Sequence, residues 1–275
     1  ARIIGPLSVS SNPDLVLNFL LVRALALLND EKVDVRCNVI ESIGVIGSVV
    51  DSETLEKSVW PGLLPLVSCN DPKLRAAVLR TISRIAAAHR KVNPDAYFFT
   101  VILPPVFLEQ CTYSRRMASM DQRLLDADLC CLVEVQAEVF GELLFSCRLS
   151  FGDDTAFRQA LKAFQAFSIC NGTTVRRNCA YNVPGVGLCM KKRYRVEMAV
   201  LVETLSRDTD METRRILAAG MHETANQICD AESAHNIVKT VYSLLHDDSP
   251  AVRMSVLRSL DSTLATLMTR NLADM

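Results

Sequence analysis

The side chains best suited to metal binding or nucleophilic attack are four histidines and ten cysteines. No histidine is followed by a second one four residues later, and no two cysteines have the C-x-x-C spacing of a zinc site. His222-Glu223 matches half of a metalloprotease motif, but the second histidine is absent and Gln227 lies nearby. We therefore expect no metal, no other cofactor and no catalytic activity.

Phosphate-binding loops and acid–base pairs also give no support for an enzyme. Gly185-Val186-Gly187 lacks the third glycine of a dinucleotide motif, so a turn or a helix end is expected there. The paired carboxylates Asp153-Asp154 and Asp247-Asp248 precede helix-like stretches, where capping explains them without acid–base chemistry.

The net charge and the placement of the cysteines limit which partners and which cellular compartment are expected. A net charge of −1 gives no general attraction to nucleic acid or to an anionic membrane. The longest apolar run, residues 97–107, is too short for a membrane span, which needs about 20 residues. Most cysteines lie in apolar stretches, which favours free buried thiols in a reducing compartment. We expect a cytoplasmic protein, with the nucleus as the alternative, and no small-molecule substrate.

A short pattern recurs along the chain: a polar turn, then a hydrophobic residue followed by arginine, then a helix-like stretch. The arginines occupy positions 36, 75, 176, 214 and 253, so their spacings are 39, 101, 38 and 39 residues. A period near 40 residues is typical of helical-pair repeats. The wide interval leaves room for one enlarged repeat.

Each repeat contains the signals that begin a helix. Polar turn residues can accept hydrogen bonds from the free N–H groups of the next helix, and Pro72 and Pro250 suit its first turn. Behind the arginine, apolar residues follow at helical spacing, as in Leu74, Val78 and Ile82. Only 10 glycines and 6% aromatic residues are present, which also favours helices packed on helices.

These signals predict an all-α protein, an α-α superhelix of about six helical pairs that fills residues 1–275 as one array. Because the chain begins in what looks like mid-fold, we expect a fragment of a longer solenoid. The third pair is enlarged, with a polar loop near 111–122 that fits either a slack connector or a binding loop. The predicted first helices are 14–28, 52–68, 95–109, 155–169, 191–206 and 231–245, and the second helices are 33–49, 72–89, 121–146, 173–188, 211–228 and 250–268.

The polar turn, the hydrophobic-arginine pair and the following glycine- or alanine-rich helix resemble HEAT repeats, a class of armadillo-like helical repeat. The pattern stands out at Val35-Arg36 and Val252-Arg253 and extends over essentially the whole chain. Within this class, the 39-residue spacing and the segment 175–184 are most similar to the scaffold subunit of protein phosphatase 2A and the regulatory subunits of protein phosphatase 4. The enlarged third pair and the prolines within first helices depart from those scaffolds, which favours a divergent relative.

The resemblance implies two roles for the repeated residues. Turns inside the helical pairs would line up along one edge and contact partner proteins. The repeated arginines would pair with turn aspartates of neighbouring repeats, and such surface ion pairs should set register more than stability. The implied partner contacts are Asn29, Asp30, Asn70, Asp71, Asp208, Asp210, Asp247 and Asp248, and the implied ladder residues are Arg36, Arg75, Arg176, Arg214 and Arg253.

A basic run at 191–195 is the strongest local charge signal. A solvated helix face is the simpler interpretation, and docking of an acidic protein segment is the alternative; nucleic acid is less favoured. Trp60, the single tryptophan, fits either core packing or an interface anchor. The predicted basic patch consists of Arg177, Lys191, Lys192, Arg193 and Arg195.

The function that these residues and the resemblance favour is protein binding without catalysis. The leading hypothesis is a scaffold or regulatory subunit of a type-2A-like serine/threonine phosphatase, whose partner would be a catalytic subunit. The alternative is a karyopherin- or adaptin-like HEAT module that acts in transport or trafficking.

Overall fold

The computed structural model describes residue 12 and residues 15–273, and every regular element in that part of the chain is helical. This confirms the all-α prediction. The α-helices are α1 (Val22–Leu27), α2 (Val33–Gly47), α3 (Ser52–Thr54), α4 (Trp60–Leu63), α5 (Pro72–His89), α6 (Leu103–Ala118), α7 (Ala127–Cys147), α8 (Asp154–Ser168), α9 (Thr173–Cys189), α10 (Arg195–Ser206), α11 (Met211–Ala219), α12 (Met221–Ile228), α13 (Ala234–Leu245), α14 (Pro250–Leu257) and α15 (Leu260–Ala273). Wider π-helical turns span Val16–Leu21, Leu55–Val59 and Phe98–Ile102, and 3₁₀ turns span Leu64–Leu66, Gln122–Leu124, Arg148–Ser150 and Lys192–Tyr194.

Aspartates cap several of these helices and explain why they begin where they do. Asp71 precedes α5, and its Oδ1 accepts hydrogen bonds from the N–H groups of Lys73 at 2.9 Å and Leu74 at 3.2 Å. Pro72 then occupies the first helical position, where no N–H is needed. Asp51, Asp126, Asp153 and Asp210 cap α3, α7, α8 and α11 in the same way. In these five helices the capping aspartate therefore marks the helix start.

Residues 111–118 are helical, which corrects the prediction of a loop over 111–122. Helix α6 continues through them because its apolar face does not end at residue 109: Phe107, Cys111, Ser114 and Met117 are buried at spacings of three and four residues. The connector to α7 is correspondingly short and contains the 3₁₀ turn Gln122–Leu124. Apart from buried Ser114, the polar side chains Thr112, Arg115 and Arg116 lie on the exposed face of this helix.

Prolines explain the π-helical turns in two first helices. The turn Leu55–Val59 ends two residues before Pro61, and the turn Phe98–Ile102 ends two residues before Pro104. A proline in a helix lacks an N–H donor and its ring collides with the carbonyl four residues earlier. A wider turn at that point relieves the collision while the helix continues.

Contacts divide the chain into two compact units. The first extends to Gln110 and resumes over Arg123–Phe151, and the second consists of Cys111–Gln122 and the chain from Gly152 onward. In the first unit, α5 packs between α2 and α7. Buried Thr81 of α5 donates to the carbonyl of Ile40 at 3.0 Å, which ties α5 to α2. Trp60 belongs to this core: it is 2% exposed and its ring stacks on Phe98 at 3.8 Å.

The second unit has the layered packing of a repeat stack. First helices pack in series, with α10 against α8 and α13. Second helices do the same, with α11 against α9 and α14, and α12 against α15. Two second helices predicted as continuous are each divided, since α11 and α12 meet at Gly220 and Arg258-Ser259 separates α14 from α15. Each helical pair thus contributes one helix to each of two layers.

Gly187 is required by a close helix contact, although the sequence suggested a turn or a helix end for this glycine. A Cβ atom at Gly187 would lie 2.7 Å from Cγ2 of Ile228 in α12, whereas a Cβ at Gly185 would meet nothing within 4 Å. We expect Gly187→Ala to lower the free energy of unfolding by about 1–3 kcal/mol through overpacking. Gly185→Ala in the same helix should raise it by up to about 1 kcal/mol, because alanine is the better helix former. Urea unfolding of both variants tests this, and equal effects at the two positions would contradict it.

Candidate functional site

The repeated arginines of the second unit clamp the turns that precede them. Nη1 of Arg176 donates to the carbonyls of Cys170 and Asn171, at 2.8 and 3.2 Å. Nη1 of Arg214 donates to the carbonyls of Asp208 and Thr209, at 2.7 and 3.5 Å. Arg253 repeats the geometry on the carbonyls of Asp247 and Asp248, at 2.6 and 3.0 Å. Three successive turns therefore have the same main-chain shape.

The same guanidinium groups also reach the next turn. Arg176 forms a bidentate pair with Asp208, with its Nε 2.6 Å from Oδ2 and its Nη2 3.0 Å from Oδ1. Arg214 binds Asp247 in the same way, at 2.5 and 3.0 Å. The two carboxylate side chains are only 5% and 6% exposed. The ladder that the resemblance implied is therefore present as contacts in these two steps, and a role in setting register stays a prediction.

The first unit has no matching arginine–aspartate steps among its described residues. Nε of Arg75 donates to the carbonyl of Val67 at 3.0 Å, and its Nη2 lies 3.3 Å from Oε1 of Gln110. Nε of Arg36 is buried and has no hydrogen-bond partner in the described structure. For Arg75 the step changes because α6 continues through the position where the next aspartate turn would stand, and Gln110 supplies an acceptor instead.

Most of the turn aspartates predicted as partner contacts are engaged within the fold. The side-chain carboxylates of Asp208 and Asp247 are nearly inaccessible and bound by arginine, which corrects their assignment to a partner. Asp71 and Asp210 cap helices, and Asp210 also forms a bidentate pair with Arg177 at 2.8 Å. This pair is the main reason why the pKa of Asp210 lies far below its usual range. Asp30 accepts a hydrogen bond from the N–H of Lys32 at 2.8 Å and shapes its own turn.

A different turn position is exposed in the five repeats that contain the repeated arginine, five residues before that arginine. The carbonyl there is clamped by the arginine in the second unit, while the side chain lies at the surface. Of these positions, the resemblance pointed to Asn70 and Asp248 but not to Glu31, Asn171 and Thr209, since their offset from the arginine, and not their polarity, makes them equivalent. Asn29 is exposed as well. The exposed positions are Glu31 and Asn70 in the first unit and Asn171, Thr209 and Asp248 in the second.

Four of the five cations in the predicted basic patch contact an aspartate. Lys191 lies 2.9 Å from Asp154, and Arg193 also contacts that carboxylate. Arg177 pairs with Asp210, and Arg195 lies 3.5 Å from Asp230. Lys192 stays exposed at the start of a 3₁₀ turn. Three carboxylates thus partly offset five positive charges, and they lie in helix starts that are distant in the sequence. A role of this basic run in binding stays a prediction.

The described residues contain no group of three or more histidine, cysteine or acidic side chains arranged to hold a metal ion. All ten cysteines are free thiols, and six of them are buried. Burial, and next the negative charge of Asp71, raises the pKa of the Cys37 thiol to about 11, which keeps it protonated. Within the described part of the chain, no helix is long and apolar enough to cross a membrane.

Comparison with known proteins gives one sequence relationship. Over 95 residues the chain is 33% identical to serine/threonine-protein phosphatase 4 regulatory subunit 1 of Homo sapiens, and the Mus musculus and Rattus norvegicus proteins match equally. The match covers 34% of this chain and about a tenth (10%) of the length of those relatives. No family model matches the chain.

Several solved structures have the same fold at low sequence identity. An archaeal HEAT-like repeats protein from Thermococcus onnurineus NA1 superposes with a TM-score of 0.55 and 10% identity, covering 96% of this chain and 92% of that one. A computationally designed armadillo repeat protein for modular peptide recognition gives 0.53 at 11% identity, covering 88% and 99%. An engineered protein gives 0.59 at 14% identity, covering 89% and 98%. The chain therefore has the all-α superhelical fold of HEAT and armadillo repeat proteins, and one third of it resembles a phosphatase 4 regulatory subunit in sequence.

Proposed function

We propose that this chain is a non-catalytic scaffold or regulatory module that binds a partner protein through its arginine-clamped turns. The observation that carries the proposal is the repeated turn geometry of the second unit. Each clamp fixes the main chain and leaves one side chain exposed, at Asn171, Thr209 and Asp248. Turns already held in one shape lose little conformational freedom on binding, which favours affinity.

The partner that we propose is the catalytic subunit of a type-2A-like serine/threonine phosphatase. Support comes from the 33% identity over 95 residues to phosphatase 4 regulatory subunit 1. In the second unit the exposed turn residues are polar, with one carboxylate at Asp248, so they suit a polar or basic surface of the partner. The module would act by position alone, holding the catalytic subunit while other surfaces hold a substrate. The free thiols fit a reducing compartment, and we propose the cytoplasm or the nucleus.

A binding assay with matched variants tests the proposal. The tagged full chain is immobilised and exposed to purified catalytic subunit of protein phosphatase 4. The test variant combines Asn171→Lys, Thr209→Lys and Asp248→Lys. The control combines Glu197→Lys, Thr204→Lys and Ser262→Lys, which changes the net charge equally at exposed helix positions. We expect the wild-type chain and the control to retain the catalytic subunit and the test variant to lose it.

Two results would contradict the proposal. Equal loss in both variants would show that overall charge, and not the turns, controls binding. Absence of binding by the wild-type chain would remove the phosphatase partner. Recovery of a small GTPase or coat component from lysate, with no phosphatase, would favour the transport alternative instead. Circular dichroism of both variants confirms that each is folded.

A further inference from the structure

A pocket in the second unit is lined almost entirely by hydrogen-bond donors and positive charges. It has a volume of about 270 Å³ and lies between the last turns of α6 and the exposed face of α8. Its floor is polar, because the Gln159 side chain donates to the Thr112 hydroxyl at 2.7 Å. The lining residues are Cys111, Thr112, Arg115, Thr155, Arg158, Gln159 and Lys162.

The three cations of this pocket are uncompensated. Arg115, Arg158 and Lys162 are exposed, and none of them forms an ion pair within the described structure. The nearest acidic candidate along the helix is Asp154, four residues before Arg158. Its carboxylate is already occupied by Lys191 and Arg193. The acidic residue that could have neutralised Arg158 is therefore committed elsewhere.

The spacing of these cations is unfavourable for the fold taken alone. Arg158 and Lys162 stand four residues apart on α8, where like charges repel. Arg158 is held by the ring of Tyr194, 5.9 Å from its guanidinium carbon, and not by an anion. A bound anionic group would relieve the repulsion and would accept hydrogen bonds from the arginines. The clustering of three such cations around one pocket, on a protein with net charge −1, gives a local positive field that favours an anionic group.

We propose that this pocket binds an acidic segment of a partner protein through its carboxylate side chains. The size of the pocket suits one or two such side chains, since pockets for whole small molecules usually exceed about 300 Å³. Three cations are few for a nucleic-acid site, because proteins that bind nucleic acid commonly neutralise about six to ten phosphates. No aromatic ring lines the pocket to stack on a base. The proposal uses none of the turn residues, so the two sites can fail independently.

Fluorescence anisotropy at physiological salt tests the proposal with a labelled peptide of alternating glutamate and serine. We expect the full chain to bind it and not the peptide in which glutamine replaces glutamate. The double variant Arg158→Glu, Lys162→Glu should bind the glutamate peptide about tenfold more weakly or worse, because two charge-assisted contacts become repulsive. The control Lys239→Glu, Arg258→Glu makes the same charge change at exposed positions and should bind as the wild type does.

Three results would overturn the proposal. Equal binding of both peptides would mean that carboxylates are not recognised. Equal weakening in the control variant would mean that general charge attraction explains the binding. Stronger binding of a single-stranded oligonucleotide than of the glutamate peptide would identify nucleic acid as the ligand. The milder variant Arg115→Ala, Lys162→Ala removes two positive charges without reversing them and should also weaken binding. The proposal can therefore still be tested if the variant Arg158→Glu, Lys162→Glu does not fold.

Discussion

Replacing Trp60 with alanine is expected to lower the free energy of unfolding of the first unit by about 3–5 kcal/mol. The indole is 2% exposed, and its ring lies nearly parallel to that of Phe98, at 8° and 3.8 Å. Truncation removes this stacked pair and leaves a cavity in a core that cannot fully collapse. Urea unfolding followed by circular dichroism measures the loss, since the variant lacks the only tryptophan.

An exposed aromatic residue provides the control for this experiment. Tyr242 is 64% exposed, so Tyr242→Ala should change the unfolding free energy by no more than about 0.5 kcal/mol. Trp60 was predicted to be either a core residue or an interface anchor, and the structure places it in the core. If Trp60→Ala lowers the free energy of unfolding by less than about 1 kcal/mol, core packing is contradicted and the interface-anchor interpretation is favoured.

Replacing Arg214 with alanine is expected to cost about 3 kcal/mol of stability in the second unit. The change leaves the Asp247 carboxylate buried without its bidentate partner and also opens the clamp on the carbonyl of Asp208. Isolated surface pairs contribute at most about 1 kcal/mol, which is why the sequence predicted an effect on register more than on stability. For Arg214 we now expect a larger effect on stability. The reason is burial, since these side chains are 16% and 6% exposed.

The control for Arg214→Ala is Arg207→Ala, which removes an arginine that is 64% exposed and pairs only with Glu203. Its cost should stay below about 0.5 kcal/mol. Adding Asp247→Ala to Arg214→Ala should recover part of the loss, because no unpaired buried charge remains. If Arg214→Ala and Arg207→Ala lower the free energy of unfolding equally, the Arg214–Asp247 pair is exposed to water and the prediction is contradicted.

The cost of Arg214→Ala should also depend on pH. Burial is the largest influence on the Asp247 carboxyl and raises its pKa, but hydrogen bonds from Arg214 and Ser249 outweigh it, so the pKa is lowered. A carboxyl with a lowered pKa in the folded state stabilises the fold above its unfolded pKa, and this stabilisation is lost as the pH falls through the folded value. The stability difference between wild type and Arg214→Ala should therefore be large near pH 7 and narrow below about pH 4.

The local features of the fold were predictable from sequence because they depend on neighbours in the chain. Caps such as Asp71, the proline at the next position and the apolar spacing behind each arginine act within one helix, and α5 coincides with its predicted range. The end of α6 was missed because Ser114 is buried by its position on the apolar face, and its polarity suggested a loop.

The sequence by itself determined the helices, the repeat period and the residues that recur in each turn. Only the tertiary structure decided how those residues are used, because burial and ion pairing depend on side chains 30 or more residues apart, as in Arg176 with Asp208 and Lys191 with Asp154. Those contacts assign Asp208 and Asp247 to the stack and pair three of the four cations in the run at 191–195 with aspartates. They leave the uncompensated charge at Arg115, Arg158 and Lys162, which no local pattern marked.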